Sequence, residues 1–126
     1  MKINPLNILI KHTSILDIKF FFISGSEKTL MEKIKSVIVE VFQKKENVQI
    51  KRIESISDFV DDIGLFENKN IYFVNGHKGI SKEALDNIRS SESNFIFIQE
   101  NSQKIKKIKN LFSVDKDSCL IDCYEL

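Results

Sequence analysis

The segment Ser24-Gly25-Ser26-Glu27-Lys28-Thr29 carries the residue types of a phosphate-binding loop, with a glycine, a lysine and a hydroxyl following an apolar run. Such a loop turns its backbone N–H groups onto phosphate oxygens, while the lysine and the hydroxyl hold the terminal phosphates and Mg²⁺. The spacing fails twice. GxxxxGK[ST] requires glycine immediately before the lysine and again five positions earlier, where this chain has Glu27 and Phe22. Glu27 would also add a negative charge to the cradle. The five residues Gly25, Ser26, Glu27, Lys28 and Thr29 therefore read as a degenerate phosphate loop with no nucleotide cofactor expected. In its place, Ser24 to Glu27 reads as a capping box on the following helix, the serine accepting from the first turn and the glutamate reaching back. Nucleotide binding through an altered loop around Gly25, Lys28 and Thr29 stays open as the alternative.

Other catalytic chemistries lack their residues. A nucleotide hydrolase ends its third strand with an acid that holds Mg²⁺, whereas Ile71, Tyr72, Phe73 and Val74 run into Asn75, Gly76 and His77. A phosphoacceptor domain needs an acid cluster after its first strand and an aspartate after its third, and neither occurs. His12 and His77 have no cysteine or carboxylate at ligand spacing, so each reads as a lone surface histidine and no metal site is expected. No GxSxG elbow is present.

Two further groups could make contacts with a partner. Lys104, Lys106, Lys107 and Lys109 follow a candidate N-cap, Ser102, on a helix whose other face is Ile105, Ile108, Leu111 and Phe112. That run reads first as a solvated helix face, with phosphate contact as the alternative. Gly64-Leu65-Phe66 places two large apolar side chains at a helix end, where they can tuck into the core or stand out as a wedge for a partner's pocket. The pattern by itself favours the core.

The elements that must position these residues are legible in the periodicity. Segments rich in β-branched and aromatic residues at Lys19 to Ser24, Val48 to Glu54, Asn70 to Val74, Asn94 to Ile98 and Ser118 to Tyr124 predict five strands. Phe20 to Ile23 and Phe95 to Ile98 are continuously apolar, the mark of strands buried on both faces of a parallel sheet. Between strands the period changes to 3.6. Leu30, Met31, Ile34, Val37, Ile38, Val41 and Phe42 form one helix stripe, and shorter stripes fall at Phe59, Val60 and Ile63, at Ala84, Leu85 and Ile88, and at Ile105 to Phe112. Leu6 to Ile10 beside Pro5 predicts a short helix or half-turn ahead of the first strand. The alternation predicts a doubly wound, three-layer α/β fold with a mostly parallel five-stranded sheet and helices on both faces.

Composition bounds the class. The 126 residues are one domain's length, with 42% hydrophobic and 29% charged residues and a single proline, as in ordinary globular proteins. Nineteen Lys and Arg against eighteen Asp and Glu leave a net charge of +1, so any nucleic-acid contact must be local. Cys119 and Cys123 fall on one face of a strand but too far apart to bridge, and read as reduced, buried thiols. No apolar stretch reaches the ~20 residues of a membrane span and no signal-peptide pattern opens the chain, which predicts a cytoplasmic protein with no membrane contact.

The order of these features resembles the N-terminal domain of the bacterial DNA polymerase III delta subunit, over nearly the whole chain. The features are the apolar strand entering Gly25-Ser26-Glu27 with Leu30 beyond, the Gly64-Leu65-Phe66 helix end with Lys69 and the Ile71 to Val74 strand after it, Phe95 to Ile98, the lysine-rich helix, and the closing Cys123-Tyr124-Glu125. The resemblance implies an AAA+-like domain, residues 1–126, that does not hydrolyse ATP and has no catalytic site of its own. It would work inside a clamp loader, a component of the DNA polymerase III holoenzyme, a DNA-directed nucleotidyltransferase. It implies that Leu65 and Phe66 insert into a hydrophobic pocket of the sliding clamp, the beta subunit, and help the ring open for loading onto primed DNA. The other loader subunits become partners, and DNA only within the assembled complex. The family carries serine where this chain has Gly64, and its helical lid and collar domains are absent from these 126 residues.

Overall fold

In the computed structural model, residues 1–10, 15–56, 69–100 and 105–124 are described. The described residues form nine elements in chain order: α1 (Pro5–Ile10), β1 (Phe20–Gly25), α2 (Lys28–Lys45), β2 (Gln49–Ile53), β3 (Asn70–Asn75), α3 (Lys82–Ile88), β4 (Asn94–Glu100), α4 (Lys106–Val114) and β5 (Ser118–Cys123). The strands form one sheet in the order β2-β3-β4-β1-β5, and every pairing is parallel.

Parallel neighbours cannot be joined by tight hairpins, and the described connections through α2, α3 and α4 each cross a face of the sheet. β1 lies inside the sheet, with Phe22 in register with Phe97 of β4 on one side and Leu120 of β5 on the other. All six of its residues are buried, because both faces are covered. Phe21 and Ile23 enter a core shared with Met31, Ile34, Ile38 and Phe42 of α2 and Ile8 of α1. Phe20 and Phe22 enter the opposite core with Leu85 and Ile88 of α3 and Phe112 of α4. The continuous apolar run in the sequence is thus two alternating sets of side chains serving two cores. Burying one such phenylalanine is worth about 2 to 3 kcal/mol relative to exposure.

Cys119 and Cys123 are both unbridged and both fully buried in the first core, as the i, i+4 spacing along β5 requires. Burial pushes each thiol up to about 12. One arrangement had no sequence signal. Met1 to Ile3 run along β5, with Lys2 bridging Leu120 and the Ile3 N–H donating to the Leu120 carbonyl at 3.0 Å.

Candidate functional site

β1 is where the chain changes direction across the sheet. α2 carries it from β1 to the far edge at β2, and α4 later carries it past β1 to β5. The two helices pack on opposite faces, so the carboxyl end of β1 is the point at which an open α/β sheet presents a crevice to ligands. The degenerate loop sits there.

Its backbone is turned inward. The N–H groups of Ser26 and Glu27 both donate to the carbonyl oxygen of Cys123, at 3.0 and 3.1 Å. Gly25 has φ +138°, and a Cβ on it would fall on that same carbonyl oxygen, so only glycine fits between β1 and β5. Glu27 takes the N-cap position of α2 and accepts from the Thr29 N–H at 3.2 Å. The expected capping box is corrected here. Ser24 lies within β1, fully buried, and its hydroxyl donates across the sheet to Asp122 at 2.6 Å. A serine inside a strand has no helix N–H within reach, so the cap falls to the glutamate.

Lys28 leaves the loop outward and pairs with Glu100 at the end of β4, at 2.8 Å, with the two side chains 77% and 62% exposed. That partner raises the lysine's pKa, chiefly through its hydrogen bond. The pair closes one side of a shallow cleft of about 280 Å³ lined also by Met31, Glu32, Ile98 and Gln99. Beside it, the ring nitrogen Nδ1 of half-buried His77 stands 3.3 Å from Oε1 of Gln99, so this histidine has a neighbour in place of open solvent. Among the described residues no group of three or more His, Cys, Asp or Glu is placed to hold a metal ion.

The lysine-rich helix divides into two kinds of residue. Lys106 and Lys107 are exposed, while Lys109 folds back to Asp122 at 3.0 Å and donates to the Tyr124 hydroxyl at 3.1 Å. Burial works against the charged form of Lys109, and the hydrogen bonds to Tyr124 and Asp122 outweigh it and raise the pKa. The expected solvated face therefore ends before Lys109, which belongs to the junction of α4 and β5. The N-cap position of α4 is Ile105, without a side-chain cap. Ser102 and Lys104 lie outside the described residues, as do His12, the stripe at Phe59, Val60 and Ile63, and the Gly64-Leu65-Phe66 corner.

Sequence reasoning missed Asp122. It sits in a strand that reads as apolar, and its partners Ser24, Lys109 and Lys2 come together only through the pairing of β5 with β1 and with the N-terminal segment. Among the described residues no helix is long and apolar enough to cross a membrane.

Together these features define a parallel three-layer α/β domain whose loop after the first strand is closed onto β5. Among solved structures, the chain is similar to the Bacillus subtilis DNA clamp loader delta protein (YqeN), at a TM-score of 0.61 and 16% sequence identity. The match covers 97% of this chain and 43% of that protein. No protein-family model matches the chain, and no curated protein sequence matches it.

Proposed function

We propose that this chain is a clamp-loader delta-type module. It binds the sliding clamp through an apolar wedge, Leu65 and Phe66, and favours the opened ring during loading onto primed DNA, without hydrolysing ATP itself. The observation that carries the proposal is the likeness of fold, over 97% of the chain, to a clamp loader delta protein. Two apolar anchors seated in a partner's pocket can supply several kcal/mol of a small interface's affinity, and ring opening needs only a preference for the opened state. The closed loop supports the nucleotide-free part of the reading, because the N–H groups of Ser26 and Glu27 are already spent on Cys123. Other loader subunits would be its partners, and DNA would be met within the assembly.

Surface plasmon resonance over the sliding clamp of the same organism tests this. The parent is expected to bind, and a Leu65→Ala/Phe66→Ala double variant that keeps its circular dichroism spectrum is expected to lose about tenfold or more, at least ~1.4 kcal/mol. Equal binding by the double variant would remove the wedge. Micromolar Mg-ATP affinity that vanishes in Lys28→Ala would favour the nucleotide-binding alternative instead.

A further inference from the structure

The carboxyl end of β5 holds groups that clamp binding leaves unused. Asp122 accepts from the buried Ser24 hydroxyl at 2.6 Å and pairs with Lys109 at 3.0 Å and with Lys2 at 3.6 Å. Its own side chain is only 9% exposed. One residue on, the Cys123 carbonyl takes the N–H groups of Ser26 and Glu27. A hydroxyl, two ammonium groups and two backbone amides at the head of a helix are the donors that a phosphate group would seek at this end of the sheet. In this chain all of them are turned onto β5.

We propose that Asp122 and Cys123 act as a built-in ligand: the Cys123 carbonyl holds the β1–α2 loop closed, the Asp122 carboxylate occupies the Ser24 hydroxyl, Lys109 and Lys2, and together they keep phosphate groups away from the carboxyl end of the sheet. Charge opposes an incoming phosphate, because it would have to share the site with the Asp122 carboxylate, and two anions at short range in a poorly solvated place repel strongly. Geometry opposes it too, since Gly25 brings the loop so close to Cys123 that no side-chain atom fits between them. The device explains why a loop with Lys28 and Thr29 in phosphate-loop positions turns its amides inward. It goes beyond clamp binding and can fail without affecting that reading.

Removing the carboxylate should uncover the hydroxyl and the two ammonium groups, while the two amides stay on Cys123. The experiment is thermal unfolding of the parent, Asp122→Ala and Asp122→Asn in sodium chloride and in sodium phosphate at matched ionic strength, with the parent correcting for the general stabilising effect of phosphate. Asp122→Ala is expected to gain about 3 °C or more from phosphate beyond the parent's gain, as a ligand that binds only the folded state requires. Asp122→Asn, which fills the space without the charge, is expected to gain less than Asp122→Ala and more than the parent. An alanine variant that folds only in phosphate shows no more than that general effect. In that case, or should it fail to fold in either salt, the asparagine variant decides, and a gain no larger than the parent's overturns the proposal. Equal gains by the parent and a folded Asp122→Ala overturn it as well.

Discussion

Gly25 and Gly76 both have positive φ, +138° and +95°, and both close a strand, yet they should answer substitution differently. At Gly76 an added Cβ meets only Oε1 of Gln99, at 3.6 Å, an ordinary contact with the end of a flexible side chain. Gly76→Ala should therefore lose only the cost of the conformation, about 1 to 2 kcal/mol. At Gly25 the Cβ meets backbone that cannot move without breaking the β1–β5 pairing and the two bonds to Cys123. Gly25→Ala is expected to cost at least about 4 kcal/mol, or to leave the chain unfolded, because overpacking and backbone strain add. Urea denaturation of the two variants against the parent checks the order, and equal losses would mean that β5 does not abut the loop as described. The sequence already marked Gly25 as the turn after an apolar strand. What it could not carry was the reason, since Cys123 comes beside Gly25 only when β5 pairs with β1.

At the scale of elements, most of the architecture was legible because burial on both faces writes continuous apolar runs at β1 and β4, and one-sided burial writes the 3.6 period of α2. Those signals are local. The junctions were not legible, because they are made by charged residues far apart in sequence. Arg89, the C-cap residue of α3, bonds Asp86 on its own helix, and Asp115 at 2.7 Å and Asp117 at 2.5 Å in the turn before β5. Its guanidinium also lies 5.5 Å from the centre of the Phe20 ring. Burial alone would raise the Asp115 pKa, but hydrogen bonds from Arg89, from Ser118 and from the Asp117 backbone outweigh it and hold it below the usual value. A carboxylate with a depressed folded pKa contributes stability that is fully present above its unfolded pKa, about 3.9, and lost as pH falls through the lower folded value. Arg89→Met, which keeps an apolar stem near Phe20, is expected to lose about 2 kcal/mol near pH 7, where it leaves a mostly buried carboxylate without its cation. The gap between parent and variant should shrink as pH falls below about 4. Denaturant midpoints measured across that range check it; a gap independent of pH would mean that Arg89 acts through packing alone.

For the whole molecule, charge balance and fold point the same way. A net charge of +1 gives no general attraction to DNA, and in the lysine-rich helix the structure withdraws Lys109 into its bonds with Asp122 and Tyr124. Lys106 and Lys107 remain exposed on that helix. Each phosphate neutralised by a protein cation contributes about −0.9 to the slope of log K against log salt for duplex DNA. If this helix is the contact, the isolated chain should bind a short duplex weakly, with a slope of about −2 to −3, the steeper value if Lys104 joins in. Lys106→Ala/Lys107→Ala should flatten that slope by about 2, while Lys109→Ala should leave it unchanged and lower the melting temperature. Fluorescence anisotropy at several salt concentrations separates these outcomes. A slope near −6 would require a basic surface formed by other lysines and would make DNA recognition a property of this domain itself. A slope of −2 to −3 that Lys109→Ala does not change would keep Lys109 with β5, where its role is to hold the end of the sheet closed.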